Sequence, residues 1–229
     1  MHKVAGLVPF TTIDFPNCLA AVVFFQGCPL RCPFCHNPNL QSYDSITQMD
    51  WTEIVQFLAT RQKRLDGVVL SGGEPLMQEK LTDAVQQIKS LGFKVALHTS
   101  GVYPEKLKQV LPLLDWIGLD VKAPSDKYHI LTGRSNIWKP IQSALKLIVD
   151  SGVGYEVRTT LDPRYLTIND VYKLAEELIA ENVKTYTLQK YRTFDQDKNP
   201  PRQAEIDSFF EDAKLLCFLK KNFQNFSCR

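Results

Sequence analysis

Short apolar runs rich in β-branched residues alternate along the whole chain with stretches whose apolar residues recur at the helical period. That alternation is the pattern of a parallel α/β fold, in which a helix crosses back over the sheet between neighbouring strands. The expected strands are Leu19 to Phe25, Gly67 to Leu70, Lys94 to Leu97, Trp116 to Leu119, Tyr155 to Thr159 and Thr185 to Leu188. Between them lie expected helices over Trp51 to Gln62, Lys80 to Ser90, Pro104 to Leu113, Ile137 to Asp150 and Ile168 to Ile179. In the second of these, Leu81, Ala84, Val85, Ile88 and Leu91 form one apolar face for a sheet. Gly92 and Gly152 close two helices, and Thr167 or Asn169 caps another. A further stripe, Ile206, Phe209, Phe210, Ala213 and Cys217, reads as a terminal helix packed on the rest. Six such units fall short of a closed eight-stranded barrel, so the expected architecture is a partial, open (β/α)6 barrel of the TIM type. Reactive groups then belong on loops after the C-terminal ends of strands.

With 229 residues, 44% of them hydrophobic, the chain can bury a full core, and without linkers or repeats it reads as a single domain, residues 1–229. A net charge of +2 is far from the dense basic surface of a nucleic-acid binder. The start, Met1-His2-Lys3-Val4-Ala5-Gly6, lacks the features of a signal peptide, and the run Leu215 to Leu219 is too short to span a bilayer. A cytoplasmic protein with neither nucleic-acid nor membrane partners is expected.

Six cysteines are present, and Cys28, Cys32 and Cys35 crowd into eight residues. Random scatter would give such a C-x3-C-x2-C arrangement roughly 0.002 times, so the spacing calls for a chemical cause. In a reducing compartment a cysteine cluster points to metal more than to disulfides. Cys18 and Cys217 read as buried small apolar residues and Cys228 as a tail thiol. The triad follows directly on the strand Ala20-Ala21-Val22-Val23-Phe24-Phe25, inside Gln26-Gly27-Cys28-Pro29-Leu30-Arg31-Cys32-Pro33-Phe34-Cys35-His36-Asn37-Pro38. Three thiolates suit one face of an iron-sulfur cubane and leave one metal position open, whereas structural zinc takes four protein ligands. The competing zinc knuckle would need His36 as the fourth ligand, and adjacent side chains such as Cys35 and His36 rarely converge on one ion.

One βα unit later comes Val68-Val69-Leu70-Ser71-Gly72-Gly73-Glu74-Pro75, again at a strand end. Two glycines permit close approach to the backbone, and a carboxylate beside them can accept hydrogen bonds from an ammonium group. Alone, such a turn is mostly structural; the cysteine triad just before it makes the pair specific.

Together these residues resemble the radical S-adenosylmethionine superfamily, and within it the activases of glycyl radical enzymes, of the anaerobic ribonucleoside-triphosphate reductase type. The likeness runs through Ala5-Gly6, Ile13-Asp14-Phe15-Pro16, Gln26-Gly27-Cys28, Cys35-His36-Asn37-Pro38, Ser71-Gly72-Gly73-Glu74-Pro75, Asp120-Val121-Lys122-Ala123-Pro124 and Arg158-Thr159-Thr160. It implies that Cys28, Cys32 and Cys35 ligate three irons of one [4Fe-4S] cluster, with S-adenosylmethionine on the fourth. It further implies that Glu74, with Gly72 and Gly73, meets the methionine amino group, that Phe34 and the His36 backbone lie near the adenine, and that Asp120 and Lys122 face the methionine carboxylate. Thr99 stays available for a cofactor contact. The implied reaction is one-electron cleavage of S-adenosylmethionine to a 5′-deoxyadenosyl radical, which takes hydrogen from a glycine of a partner enzyme. A flavodoxin or ferredoxin type protein would donate the electron.

Each position also has a plainer reading: Phe34 as loop packing, Lys122 as a solvated lysine, Asp120 as a turn cap, and His98 and His129 as residues without a site role. The chain departs from the activase pattern at His98-Thr99-Ser100-Gly101, where Asp-Thr-Asn-Gly is usual, at Asn17, where the family has glycine, and at Arg192. Rival functions are a formate-lyase activase, a small-molecule radical enzyme such as one making a deazaguanine, and a noncatalytic iron-sulfur carrier. A carrier has no use for Glu74 or Lys122.

Overall fold

The computed structural model describes residues 2–44, 49–193 and 197–229. In chain order these form β1 Val4–Thr11, β2 Ala20–Phe25, α1 Trp51–Ala59, β3 Gly67–Gly72, α2 Leu81–Ser90, β4 Lys94–Thr99, α3 Pro104–Val110 and β5 Trp116–Asp120. Then follow α4 Tyr128–Thr132, α5 Trp138–Asp150, β6 Gly154–Leu161, α6 Ile168–Ala180, β7 Thr185–Lys190, α7 Gln203–Glu211, α8 Ala213–Asn222 and β8 Asn225–Cys228. All six expected strands are present. No helix among the described residues is long and apolar enough to cross a membrane.

The chain divides into two compact units: Met1–Pro29, Asn37–Leu119 and Pro140–Tyr155 make the first, and Leu30–His36, Asp120–Lys139 and Glu156–Arg229 the second. In the first, β1 pairs antiparallel with β2, and β2, β3, β4 and β5 follow in parallel, with Ala20 opposite Gly67 and Gly67 opposite Lys94. β2 is buried almost throughout, as a parallel strand covered on both faces must be. Phe15, Cys18, Ala20, Val22, Val69 and Ala96 pack as one buried cluster on this sheet, which gives Cys18 its expected role as a small apolar residue. On α2, Leu81, Ala84, Val85 and Ile88 are all buried, so the apolar stripe does face the core. Gly92 and Gly152 end their helices at φ 89° and 75°, where only glycine is unstrained. Asn17, standing for the family's glycine, takes φ 58°, a left-handed conformation that asparagine tolerates.

In the second unit β6, β7 and β8 run parallel, with Val157 opposite Tyr186 and Thr185 opposite Asn225. α6 opens on a capping box in which Thr167 accepts from the Asp170 amide while Asp170 accepts from the Thr167 amide.

The structure adds β1, β8 and α4 to the expected elements. β1 carries Pro9 and leaves Val8 and Phe10 exposed, so its alternation is broken. The expected terminal helix is two helices. Asp212 breaks the run in an extended conformation and caps α8 by accepting from the Leu215 amide. Leu215 and Leu219 therefore take the buried positions, and Cys217, expected inside, is exposed.

Candidate functional site

In the first unit the C-terminal ends of β2, β3 and β4 meet. Gly72 turns at φ 116°, and a Cβ there would lie 2.3 Å from the Phe25 backbone nitrogen. At Gly73 it would lie 2.2 Å from the Gly27 carbonyl oxygen. These glycines are thus demanded by the close approach of the β3 turn to the strand that leads into the cysteines. The Gly73 amide donates to Phe25 O at 2.9 Å and the Glu74 amide to Gly27 O at 2.9 Å. Two buried glutamines brace the same lead-in. Gln26 Nε2 donates to the carbonyls of Asn39 and Ser42, and Gln78 Nε2 to that of Gln26. The Cys28 amide donates to Gln41 O at 3.2 Å.

Glu74 is fully buried, and its carboxylate is occupied on both oxygens. Oε1 accepts from Leu76 N at 3.1 Å and Thr99 Oγ1 at 2.7 Å; Oε2 accepts from Ser100 N at 2.9 Å and Ser100 Oγ at 2.5 Å. Burial pushes its pKa up, and the hydrogen bonds from Ser100, Thr99 and Leu76 oppose that only in part. An ammonium ligand at the Glu74 side chain would have to displace Thr99 or Ser100. Thr99 is committed to the same network, since its hydroxyl also accepts from the Gly101 amide at 3.0 Å. His98 is structural: its Nε2 pairs with Asp14 O at 2.8 Å and its ring meets Trp116 edge-on.

The second unit holds Cys32, Phe34, Cys35, His36, Asp120 and Lys122. Cys32 is buried, and desolvation raises its thiol above the ordinary value against the pull of Lys122. The Cys35 amide donates to Cys32 O at 3.2 Å, and the Arg31 amide to Thr132 O at 2.8 Å, which ties the loop to the end of α4. Phe34 is buried under the Lys122 ammonium, 5.9 Å from its ring centroid. His36 is exposed, and its ring meets that of Tyr191.

Asp120 and Lys122 are fixed by β6. Arg158 pairs with Asp120 at 2.8 Å, Lys122 Nζ lies 3.8 Å from Asp120 Oδ2, and the Val121 amide donates to Arg158 O at 2.9 Å. Thr159 Oγ1 donates to Val121 O, and the buried Tyr128 hydroxyl accepts from the Lys122 amide. Arg158 is itself buried, and its guanidinium fixes Asp120 beside Lys122. Its motif, Arg158-Thr159-Thr160, was visible in the sequence, but its partner lies 38 residues away.

None of the six cysteines is joined in a disulfide. Among the described residues, no three side chains of His, Cys, Asp or Glu gather as they would around a single ion. A cubane offers each thiolate its own iron, so three cysteines on one short loop fit three of its four irons without gathering around a single ion.

The radical SAM superfamily model matches residues 22–178, well over half of the chain. The chain belongs to the radical SAM superfamily. A protein of Methanocaldococcus jannaschii, provisionally named a glycyl-radical enzyme activating enzyme, is 32% identical over 96% of this chain and 87% of its own length. A pyruvate formate-lyase-activating enzyme of Streptococcus mutans is 30% identical over 86% of this chain and 81% of its own. These similarities bring the radical SAM chain into the glycyl-radical enzyme activating family. Among solved structures, Streptococcus suis SuiB bound to S-adenosylmethionine aligns with TM-score 0.67 at 14% identity, covering 91% of this chain and 51% of that one. Native anSMEcpe with bound AdoMet aligns with TM-score 0.66 at 15% identity, covering 88% and 61%. At such identities these two share the radical SAM α/β fold alone.

Proposed function

We propose that residues 1–229 act as one catalytic domain that cleaves S-adenosylmethionine and installs a glycyl radical on a partner enzyme. The single observation that carries this reading is the C-x3-C-x2-C spacing of Cys28, Cys32 and Cys35, in a chain of the radical SAM superfamily. Cys28, Cys32 and Cys35 would hold the [4Fe-4S] cluster. When bound, the cluster would supply the electron for reductive cleavage of S-adenosylmethionine, the chemistry that initiates hydrogen removal from the partner's glycine. The chain's own residues bind and orient. Lys122, held beside Phe34 and Asp120, offers a cation to the methionine carboxylate, while Phe34 and the His36 backbone offer a surface for the adenine. Gly72, Gly73 and Glu74 set the backbone beside the first cysteine, and Thr99 locks Glu74 in place.

As the partner we propose anaerobic ribonucleoside-triphosphate reductase, on the motifs Ile13-Asp14-Phe15-Pro16 and Asp120-Val121-Lys122-Ala123-Pro124. A formate-lyase type partner is the second reading, favoured by the Streptococcus mutans relative. The electron donor would be a flavodoxin or ferredoxin type protein, and the setting cytoplasmic. Anaerobic incubation with reductant, S-adenosylmethionine and either candidate partner tests the choice by electron paramagnetic resonance. A glycine-centred doublet is expected on the reductase. A doublet on formate lyase alone would replace the partner and keep the activase; none on any glycyl radical enzyme would remove both.

A further inference from the structure

Beyond the ligand and cofactor residues, the second unit contains one polar cluster that touches the cysteine loop through aromatic rings. Asp162 follows β6 and is fully buried. Arg164 grips it with a fork, Nε to Oδ1 at 2.9 Å and Nη2 to Oδ2 at 2.6 Å. The same guanidinium reaches the chain that follows β7, where Nη1 donates to Asp197 Oδ1 at 2.8 Å and to Asn199 O at 2.8 Å. The other Asp197 oxygen accepts from the Tyr191 hydroxyl. Arg164 Cζ lies 4.9 Å from the ring centroid of Tyr191 and 5.6 Å from that of Tyr165. Those two rings are the ones that the cysteine loop meets: Phe34 stands 6.4 Å from Tyr165 and His36 stands 6.1 Å from Tyr191, centroid to centroid.

We propose that Arg164 is a positioning residue for the cysteine loop, joining the segments after β6 and β7 and carrying the two tyrosines on which Phe34 and His36 rest. The proposal rests on the reading that this loop holds the cluster. Its physical basis is that one planar fork meets two carboxylates and a carbonyl in fixed directions while stacking on rings, which an ammonium group cannot reproduce. Without the guanidinium, the buried Asp162 and the half-buried Asp197 lose the cation they share, and the segment bearing Tyr191 is released from the loop.

The test uses the iron-free full chain and reads thiols by iodoacetamide labelling and peptide mass spectrometry. Cys32, buried, and Cys35 report on the loop; Cys217 and Cys228, both exposed, serve as internal standards. Arg164→Lys is expected to raise the Cys32 labelling rate about tenfold by easing local opening, with the standards unchanged. Asp197→Asn, which weakens the same tie, is expected to move Cys32 in the same direction and is the variant read if Arg164→Lys does not fold. Unchanged Cys32 and Cys35 rates in a folded variant would overturn the proposal. So would an equal rise at all four thiols, which would mark Arg164 as a general stabiliser. Failure of the wild-type chain to take up iron would instead overturn the cluster reading, and it would leave the thiol pattern as it stands.

Discussion

Glu74 spends all of its acceptor capacity inside the protein: a carboxylate offers about four lone-pair positions, and Leu76, Thr99 and both groups of Ser100 fill them. Truncating it leaves buried donors unmet, so Glu74→Ala is expected to lower unfolding free energy by about 3 to 5 kcal/mol, read from urea midpoints. Loss of cofactor affinity with stability intact would contradict that and restore the side chain as a ligand contact. The pH dependence follows from the raised folded-state value. In the folded chain Glu74 holds its proton to a higher pH than the unfolded carboxyl, which releases it near about pH 4.3. Its contribution to stability is therefore full below that pH and declines as pH climbs through the raised value. Glu74→Gln should remove this part of the slope in a stability-against-pH curve; an unchanged slope would assign it to other groups. At the cysteines, Cys32→Ala is expected to abolish cluster assembly and Cys217→Ala to leave iron content at the wild-type level, since only the former lies on the triad loop. Full iron loading of Cys32→Ala would refute the ligand assignment.

At the scale of elements, the tightest constraint is the β3 turn, where the Gly73 position touches the Gly27 carbonyl. Gly73→Ala should cost about 2 kcal/mol or more, because a backbone carbonyl and not a flexible side chain must move. A melting temperature equal to wild type would show that the two segments part without penalty. The six parallel strands were legible because each is a compact apolar run bounded by turn residues, and β2 and β4 show it most plainly. β1 was not legible, since Val8, Pro9 and Phe10 face outward and its pairing with β2 is interrupted by register shifts. Nor was the break between α7 and α8, because Asp212 sits inside a run whose apolar residues keep helical spacing and acts only by capping Leu215. The cysteine triad and the Gly-Gly-Glu-Pro turn could be found in the sequence, since their chemistry lies in local spacing. The bracing roles of Gln26, Gln78 and Arg158 could not, because each depends on a partner 13 to 52 residues away.

For the whole molecule, the family assignment limits the chemistry while leaving the target open. A family model over residues 22–178 and a relative 32% identical over 96% of the chain place this protein among enzymes that activate glycyl radical partners. The motifs and relatives divide between ribonucleotide reductase and formate lyase as that partner, and both readings require the same hydrogen transfer. The most direct measurement is isotopic. A partner enzyme made with α-deuterated glycine is incubated anaerobically with this protein, reductant and S-adenosylmethionine, and the released 5′-deoxyadenosine is weighed by mass spectrometry. The account predicts one deuterium per molecule in the first turnover, lost when the partner's target glycine is replaced by alanine. Release of 5′-deoxyadenosine without deuterium from any glycyl radical enzyme, beside label transfer from a small molecule, would contradict it.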